Sequence, residues 1–194
     1  MSGIRTFVGI PLDEQLRETL ARAGEQLRFS DPRWKGEKWV PAENLHITLK
    51  FIGSIPAEDV GGLDEALQAV TRDLTCFSVE LTGVSSVPSP RRARMLWASF
   101  LDPSGACGSL AARVEAVSLP FGAEPDERTF SPHATLVRTR RPHAVSDEAI
   151  LSANECLAGL LGPVSVSRAT LFASQLGPHG PIYSELGSYA LRSD

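Results

Sequence analysis

The chain has 194 residues, of which 42% are hydrophobic and 22% charged, and its net charge at neutral pH is -4. That suffices for one domain with a sizeable core and excludes a disordered segment. The acidic total denies the whole molecule a long-range attraction for nucleic acid, so any RNA or phosphate contact must come from a local basic patch.

Three widely spaced cysteines, Cys76, Cys107 and Cys156, form no C-x-x-C pair. They predict buried, reduced thiols rather than a zinc knuckle or a disulfide framework. The opening "MSGIRTFVGIPLDEQL" has one short apolar run and lacks the long apolar region and small-residue cleavage site of a secretory leader. No stretch approaches the roughly 20 apolar residues of a spanning helix. A cytoplasmic monomer without membrane association is the expectation.

"IRTFVGI" (4–10) is short, β-branched and aromatic, and predicts a buried strand. Leu16, Leu20, Ala23 and Leu27 then recur at helical steps behind Asp13, a residue type suited to N-capping. "FSDPRWKGEKWVPAE" predicts a surface loop, and "NLHITLKFIG" (44–53) a strand. Val60, Leu63, Leu67, Val70 and Leu74 mark a second helix. "CFSVELTGV" and "RMLWASF" predict two strands joined by the loop "SSVPSPRRA". A third helix is expected over 105–118 and a strand at "SPHATLVRTR" (131–140). After a fourth helix near 146–161, two final strands are expected, "VSVSRATLFAS" and "IYSELGSYAL".

This order repeats. His46-x-Thr48 recurs 87 positions later as His133-x-Thr135, and each pair is followed by helix, strand, strand. Phe77 and Val164 lie 31 residues beyond their own histidines, and Trp97 and Ser184 lie 51 beyond. Two copies at so long a period suggest a duplication rather than a solenoid. The predicted fold is α+β: a single bilobal domain over 1–194 of two pseudo-twofold-related lobes, with sequence halves divided near 102–105. Each lobe is a mainly antiparallel sheet with helices outside, and a cleft lies between the lobes.

Side chains two apart on a strand share a face. His46 and Thr48 therefore oppose Leu45, Ile47 and Leu49, while His133 and Thr135 oppose Ala134 and Leu136. With the apolar faces buried, two imidazoles and two hydroxyls converge on the cleft. Histidine titrates at about 6.5, so one ring can accept a proton while the other donates. Hydroxyls can donate to phosphate oxygens. The set suits in-line displacement at phosphorus. A single H-x-T is weak evidence; the doubled motif in matching register is not. The other histidines, His143 and His179, stand beside prolines and are expected on the solvated surface. No metal is expected, because no carboxylate follows either motif at ligand spacing and two histidines alone rarely make a site. Glu43 precedes His46 by three, but alternation turns it away.

"WVPAENLHITLKFIG", "RMLWASF", "FSPHATLVRTR" and "LFASQLGPHGPIYSELGSYAL" resemble the two-histidine (2H) phosphoesterase superfamily, and within it the RNA 2′,3′-cyclic phosphodiesterases, also called 2′-5′ RNA ligases. The likeness spans nearly the whole chain. It implies metal-independent opening of a 2′,3′-cyclic phosphate on an RNA end or a nucleotide to a 2′-phosphate, with no cofactor. It further implies His46 as proton donor and His133 as acceptor, although near-equivalent motifs leave that polarity open. Thr48 and Thr135 would hold the phosphate. Arg138 takes the place of an arginine common in the family, but ideal alternation turns it away from His133 unless the strand bulges or ends first. Arg94, with Arg91 and Arg92, and Arg140 and Arg141 beside Arg138, are candidates for the basic patch. Tyr183, Phe51 and Trp97 are candidates to stack a base, with core packing expected for Phe51 and Trp97. The open alternatives are 2′-5′ ligation by the reverse reaction, another cyclic or 2′-5′-linked nucleotide as substrate, and a non-catalytic RNA- or nucleotide-binding module.

Overall fold

The computed structural model describes residues 3–178 and 180–193. The described residues form eight strands and four α-helices, in the order β1 (Ile4–Pro11), α1 (Glu14–Ser30), β2 (His46–Ile55), α2 (Val60–Thr71), β3 (Phe77–Val87), β4 (Ala93–Leu101), α3 (Ala106–Ser118), β5 (His133–His143), α4 (Asp147–Leu157), β6 (Gly162–Val166), β7 (Arg168–Leu176) and β8 (Pro181–Ala190). Asp13 caps α1 by accepting from the Leu16 amide, and the predicted Leu16, Leu20, Ala23 and Leu27 face is the buried one. Ser146 caps α4 in the same way through the Ala149 amide.

All eight strands form one sheet, in the order β6-β3-β4-β5-β2-β1-β7-β8. Reading outward from the β2–β5 boundary, β2-β1-β7-β8 mirrors β5-β4-β3-β6. The two expected lobes are thus halves of a single antiparallel sheet, joined at the Ile47–Ala134 pair. They are not the two halves of the sequence, because each sequence half lends strands to the other. β3 and β4 stand beside β5, while β7 and β8 stand beside β1. The repeat therefore has a different phase from the one the spacing suggests. By position in the sheet, Trp97 on β4 corresponds to β1 rather than to Ser184, and Phe77 on β3 to β7 rather than to Val164.

"VSVSRATLFAS" is likewise two strands. It breaks at Ser167, sending β6 to pair with β3 and β7 with β1 on opposite sides of the sheet. Nothing local distinguishes this crossing, since both pieces carry alternating strand residues. β3 runs on to Val87, so part of the expected loop is strand, and α4 ends at Leu157.

The helices cover one face. α3 packs behind β2, α1 behind β5, α4 behind β3 and α2 behind β8, around one continuous hydrophobic core. Leu45, Ile47 and Leu49 are 2%, 0% and 4% exposed, each burial contributing about 1.5–3 kcal/mol. A one-residue slip would move that set to the other face, so the register that aims His46 is strongly fixed. Of the cysteines only Cys107 is buried; Cys76 is half-buried and Cys156 exposed, and all three are free thiols.

Candidate active site

Both H-x-T strands carry a bulge at the same place. The β1–β2 register shifts between Gly9–Thr48 and Val8–Lys50, and the β4–β5 register between Trp97–Thr135 and Leu96–Val137. A bulge puts two residues opposite one and reverses the alternation beyond it. Leu49 and Lys50 are consequently both buried, as are Leu136 and Val137. Phe51 and Arg138, each three residues past its threonine, return to the histidine face, and both are exposed. This removes the conflict over Arg138, which shares the face of His133. It also corrects the expectation for Phe51, which is 63% exposed instead of packed in the core.

The imidazoles are held by matching devices. Nδ1–H of His46 donates to the Asn44 carbonyl at 2.7 Å, and Nδ1–H of His133 to the Ser131 carbonyl at 2.7 Å. A carbonyl only accepts, so each Nδ1 must carry the hydrogen, and each neutral ring keeps its free lone pair on Nε2. Nε2 of His46 accepts from the Thr48 hydroxyl at 3.0 Å. Nε2 of His133 has no protein partner among the described residues.

Their surroundings differ. Phe7 stacks on His46 with ring centroids 4.7 Å apart, and Tyr183 meets it edge-on at 5.5 Å. Gly9 leaves the room this needs, since a Cβ there would stand 3.0 Å from His46 Cδ2. The corresponding position opposite Thr135 holds Trp97, half-buried and 3.9 Å from the His133 ring, not packed in the core.

Burial is the chief influence on both rings and lowers both pKa values below the ordinary histidine value. For each, the bond to a backbone carbonyl partly offsets this. The charge of His133 depresses His46 further, and that of Arg138 depresses His133. Tyr183 is pushed up by burial, with the Arg5 charge opposing.

In a flat sheet β8 would lie about 14 Å from β2 across three strand spacings. Instead Nδ2 of Asn44 donates to the Pro181 carbonyl at 2.7 Å. The sheet curls so far that the β7–β8 hairpin arches over His46 and brings Tyr183 with it.

Arg94 lies exposed at the opening of β4, beside the turn of Arg91 and Arg92. Ala93 pairs with His143 and Met95 with Arg138, so this turn meets the far end of β5, where Arg140 and Arg141 are exposed. None of these six arginines forms an ion pair among the described residues. His143 is not a free surface group: it ends β5, its Nε2 lies 2.7 Å from the Glu37 carboxylate, and Trp34 packs edge-on to it. His179 lies outside the described residues. Glu43 belongs to a tight turn before β2, not to the strand. No group of three or more His, Cys, Asp or Glu side chains converges as a metal site among the described residues. No described helix is long and apolar enough to cross a membrane.

Sequence reasoning missed Asn44, Phe7, Gly9 and Lys50. Only Lys50 left a signal, as a charge interrupting an otherwise apolar strand.

Paired imidazoles on the central strands of a pseudo-symmetric antiparallel sheet, each beside a threonine on the same face, define a two-histidine phosphoesterase. The family model for LigT-like phosphoesterases matches residues 10–97 and 101–183, and the chain belongs to that family. An RNA 2′,3′-cyclic phosphodiesterase of Methanothermobacter thermautotrophicus is 29% identical, covering 97% of this chain and 99% of its own. One from Archaeoglobus fulgidus is 30% identical over 94% and 98%. The fold matches the crystal structure of E. coli LigT complexed with 3′-AMP at a TM-score of 0.74, with 24% identity, 97% of this chain and 98% of that one. A Thermus thermophilus structure gives 0.74 with 25% identity over 98% and 99%.

Proposed function

We propose that the protein is a metal-independent RNA 2′,3′-cyclic phosphodiesterase that opens the cyclic phosphate of RNA ends or nucleotides to a 2′-phosphate. The observation that carries this reading is the pair of imidazoles, each fixed by its Nδ1–H on a backbone carbonyl, which turns both Nε2 atoms to the threonine-bearing face, that of His46 bonded to the Thr48 hydroxyl alone. His133, whose Nε2 has no protein partner among the described residues, takes the proton from water. The hydroxide attacks phosphorus, the bond to O3′ breaks, and protonated His46 delivers its Nε2 proton to O3′. Each proton transfer is worth roughly 10²- to 10⁴-fold. Thr48 and Thr135 donate to the non-bridging oxygens, and Arg138 offsets the charge that develops there. Tyr183 and Arg94 contact the substrate, Arg94 within the local basic patch that the acidic total requires. Full-length relatives named for this activity support the substrate assignment. The site is taken to act in a cytoplasmic monomer.

Hydrolysis of 2′,3′-cyclic nucleotides by the purified protein is expected to persist in excess chelator and to yield 2′-phosphates, read by chromatography against both isomers. Loss of activity on chelation would remove the metal-free mechanism. Accumulation of 2′-5′-joined product from RNA halves would instead favour the reverse reaction.

The pH profile of kcat/KM should be a bell belonging to the coupled pair, lying on the acid side of the ordinary histidine range because both rings are depressed. Arg138→Gln removes a positive charge that disfavours His133 protonation, so the His133 pKa rises and the acid limb moves to higher pH. The same variant should lower kcat/KM roughly 10- to 100-fold, the size of a lost charged hydrogen bond. An unmoved acid limb would separate Arg138 from His133.

A further inference from the structure

Asn44 performs two tasks from one residue. Its carbonyl accepts from Nδ1–H of His46, and its side-chain amide donates to the Pro181 carbonyl at the start of β8, both at 2.7 Å. The residue is 8% exposed, and its backbone amide is tied to the Pro41 carbonyl at 2.9 Å, so it has little freedom to rotate. The two residues after Pro181 are Ile182 and Tyr183, and the Tyr183 ring packs edge-on to both His46 and Phe7. Between the two strands the Gly177 amide donates to the Gly180 carbonyl at 2.9 Å. The other imidazole has no such tie. Ser131, which holds His133, is exposed, and its side chain bonds to no other described element.

We infer that Asn44 is a positioning residue that couples the orientation of His46 to the seating of the β7–β8 hairpin over it. Displacing the hairpin pulls on the amide of Asn44, and the same residue's carbonyl then releases Nδ1–H. Seating of the hairpin, as when substrate packs under Tyr183, presses the imidazole into its working tautomer. The coupling acts on His46 alone, which makes the two halves of the cleft mechanically unequal despite their pseudo-symmetry. The catalytic consequence rests on the function proposed above; the coupling does not.

The test compares wild-type protein, Asn44→Ala and Asn44→Asp. The alanine removes the tether while keeping the carbonyl. The isosteric aspartate cannot donate to Pro181 when ionised, and keeps the question answerable where the alanine variant does not fold. The tautomer and titration of His46 and His133 are read by imidazole ¹⁵N NMR, without reference to activity. Among the described residues, the titratable groups facing His46 are His133 and Tyr183 from β8. Both variants should admit water to His46, raise its pKa toward the ordinary value and mix its tautomers, leaving the tautomer of His133 unchanged. With 2′,3′-cyclic nucleotide, KM should rise and kcat fall on the order of 10-fold, as for a displaced catalytic group. Asn44→Asp should recover toward wild type at acid pH, where its protonated carboxyl can donate. Unchanged His46 spectra in folded variants overturn the coupling, as does an equal disturbance of both histidines. A wild-type protein inactive on cyclic nucleotides overturns the proposed function and leaves the spectroscopic test of Asn44 standing.

Discussion

Alanine in place of His133 is expected to lower kcat on 2′,3′-cyclic nucleotides by roughly 10²- to 10⁴-fold, while KM and the thermal midpoint stay near wild type. His46→Ala should lose a similar factor. The folded state survives because both rings lie on the cleft face, whereas Leu45, Ile47 and Leu49, with Ala134 and Leu136, keep the strands seated on the core. His46→Ala also leaves space beside Phe7 and costs about 1 kcal/mol of stability. The double variant should fall well short of the product of the two losses, because groups acting in one proton relay are not additive. Steady-state kinetics with urea unfolding on the same samples checks both parts. Near-wild-type turnover by either single variant would dissolve the acid/base pair.

The second large effect is one of stability. Lys50 is 2% exposed, and its ammonium donates to Asp126 at 2.7 Å, to Glu115 at 3.1 Å and to the Glu124 carbonyl at 2.7 Å. Glu115 also accepts from the Asp126 amide at 2.6 Å. The Asp126 carboxylate is 61% exposed and that of Glu115 29%, so water screens part of the attraction. Replacing both, as Glu115→Gln with Asp126→Asn, leaves the buried cation without a counter-charge and should cost about 1–3 kcal/mol, read as a lower urea midpoint. Adding Lys50→Met should recover most of that loss, since an apolar side chain of similar volume needs no partner. A double variant as stable as wild type would show that the charge is solvated after all.

The same trio makes stability depend on pH. Burial alone would depress Lys50, but the bonds to Asp126 and Glu115 outweigh it and leave its pKa raised. Its contribution is complete below the unfolded pKa and is lost as pH rises through the folded one. Glu115 is held low by the Asp126 amide first and Lys50 second. Its share is present above the unfolded value and is lost as pH falls through the folded one. Stability should therefore decline at both acid and strongly alkaline extremes.

Much of this was legible in the sequence because it depends on near neighbours. Helical periodicity located all four helices, and strand alternation placed His46 with Thr48 and His133 with Thr135. What stayed hidden depends on partners far away along the chain. The bulges at Leu49–Lys50 and Leu136–Val137 exist only relative to β1 and β4, so Phe51 read as core and Arg138 as misdirected. The break at Ser167 separates two segments that look alike until their partners are known. Tyr183 was picked out by type, but its place beside His46 follows from the curl of the sheet, which no local pattern encodes.

The exchange of strands between the halves also governs when the cleft can come into being. β1 finds its second neighbour in β7, roughly 160 positions later, and the contacts over His46 come from Pro181 and Tyr183. Pairings of such long separation make folding slow, because loop-closure entropy is spent before contacts compensate. A chain emerging from the ribosome carries both histidines well before it carries the wall over one of them. Neither sequence half holds a complete sheet half, so fragments cut near 102–105 would each present open strand edges and should regain the cleft only by associating with one another.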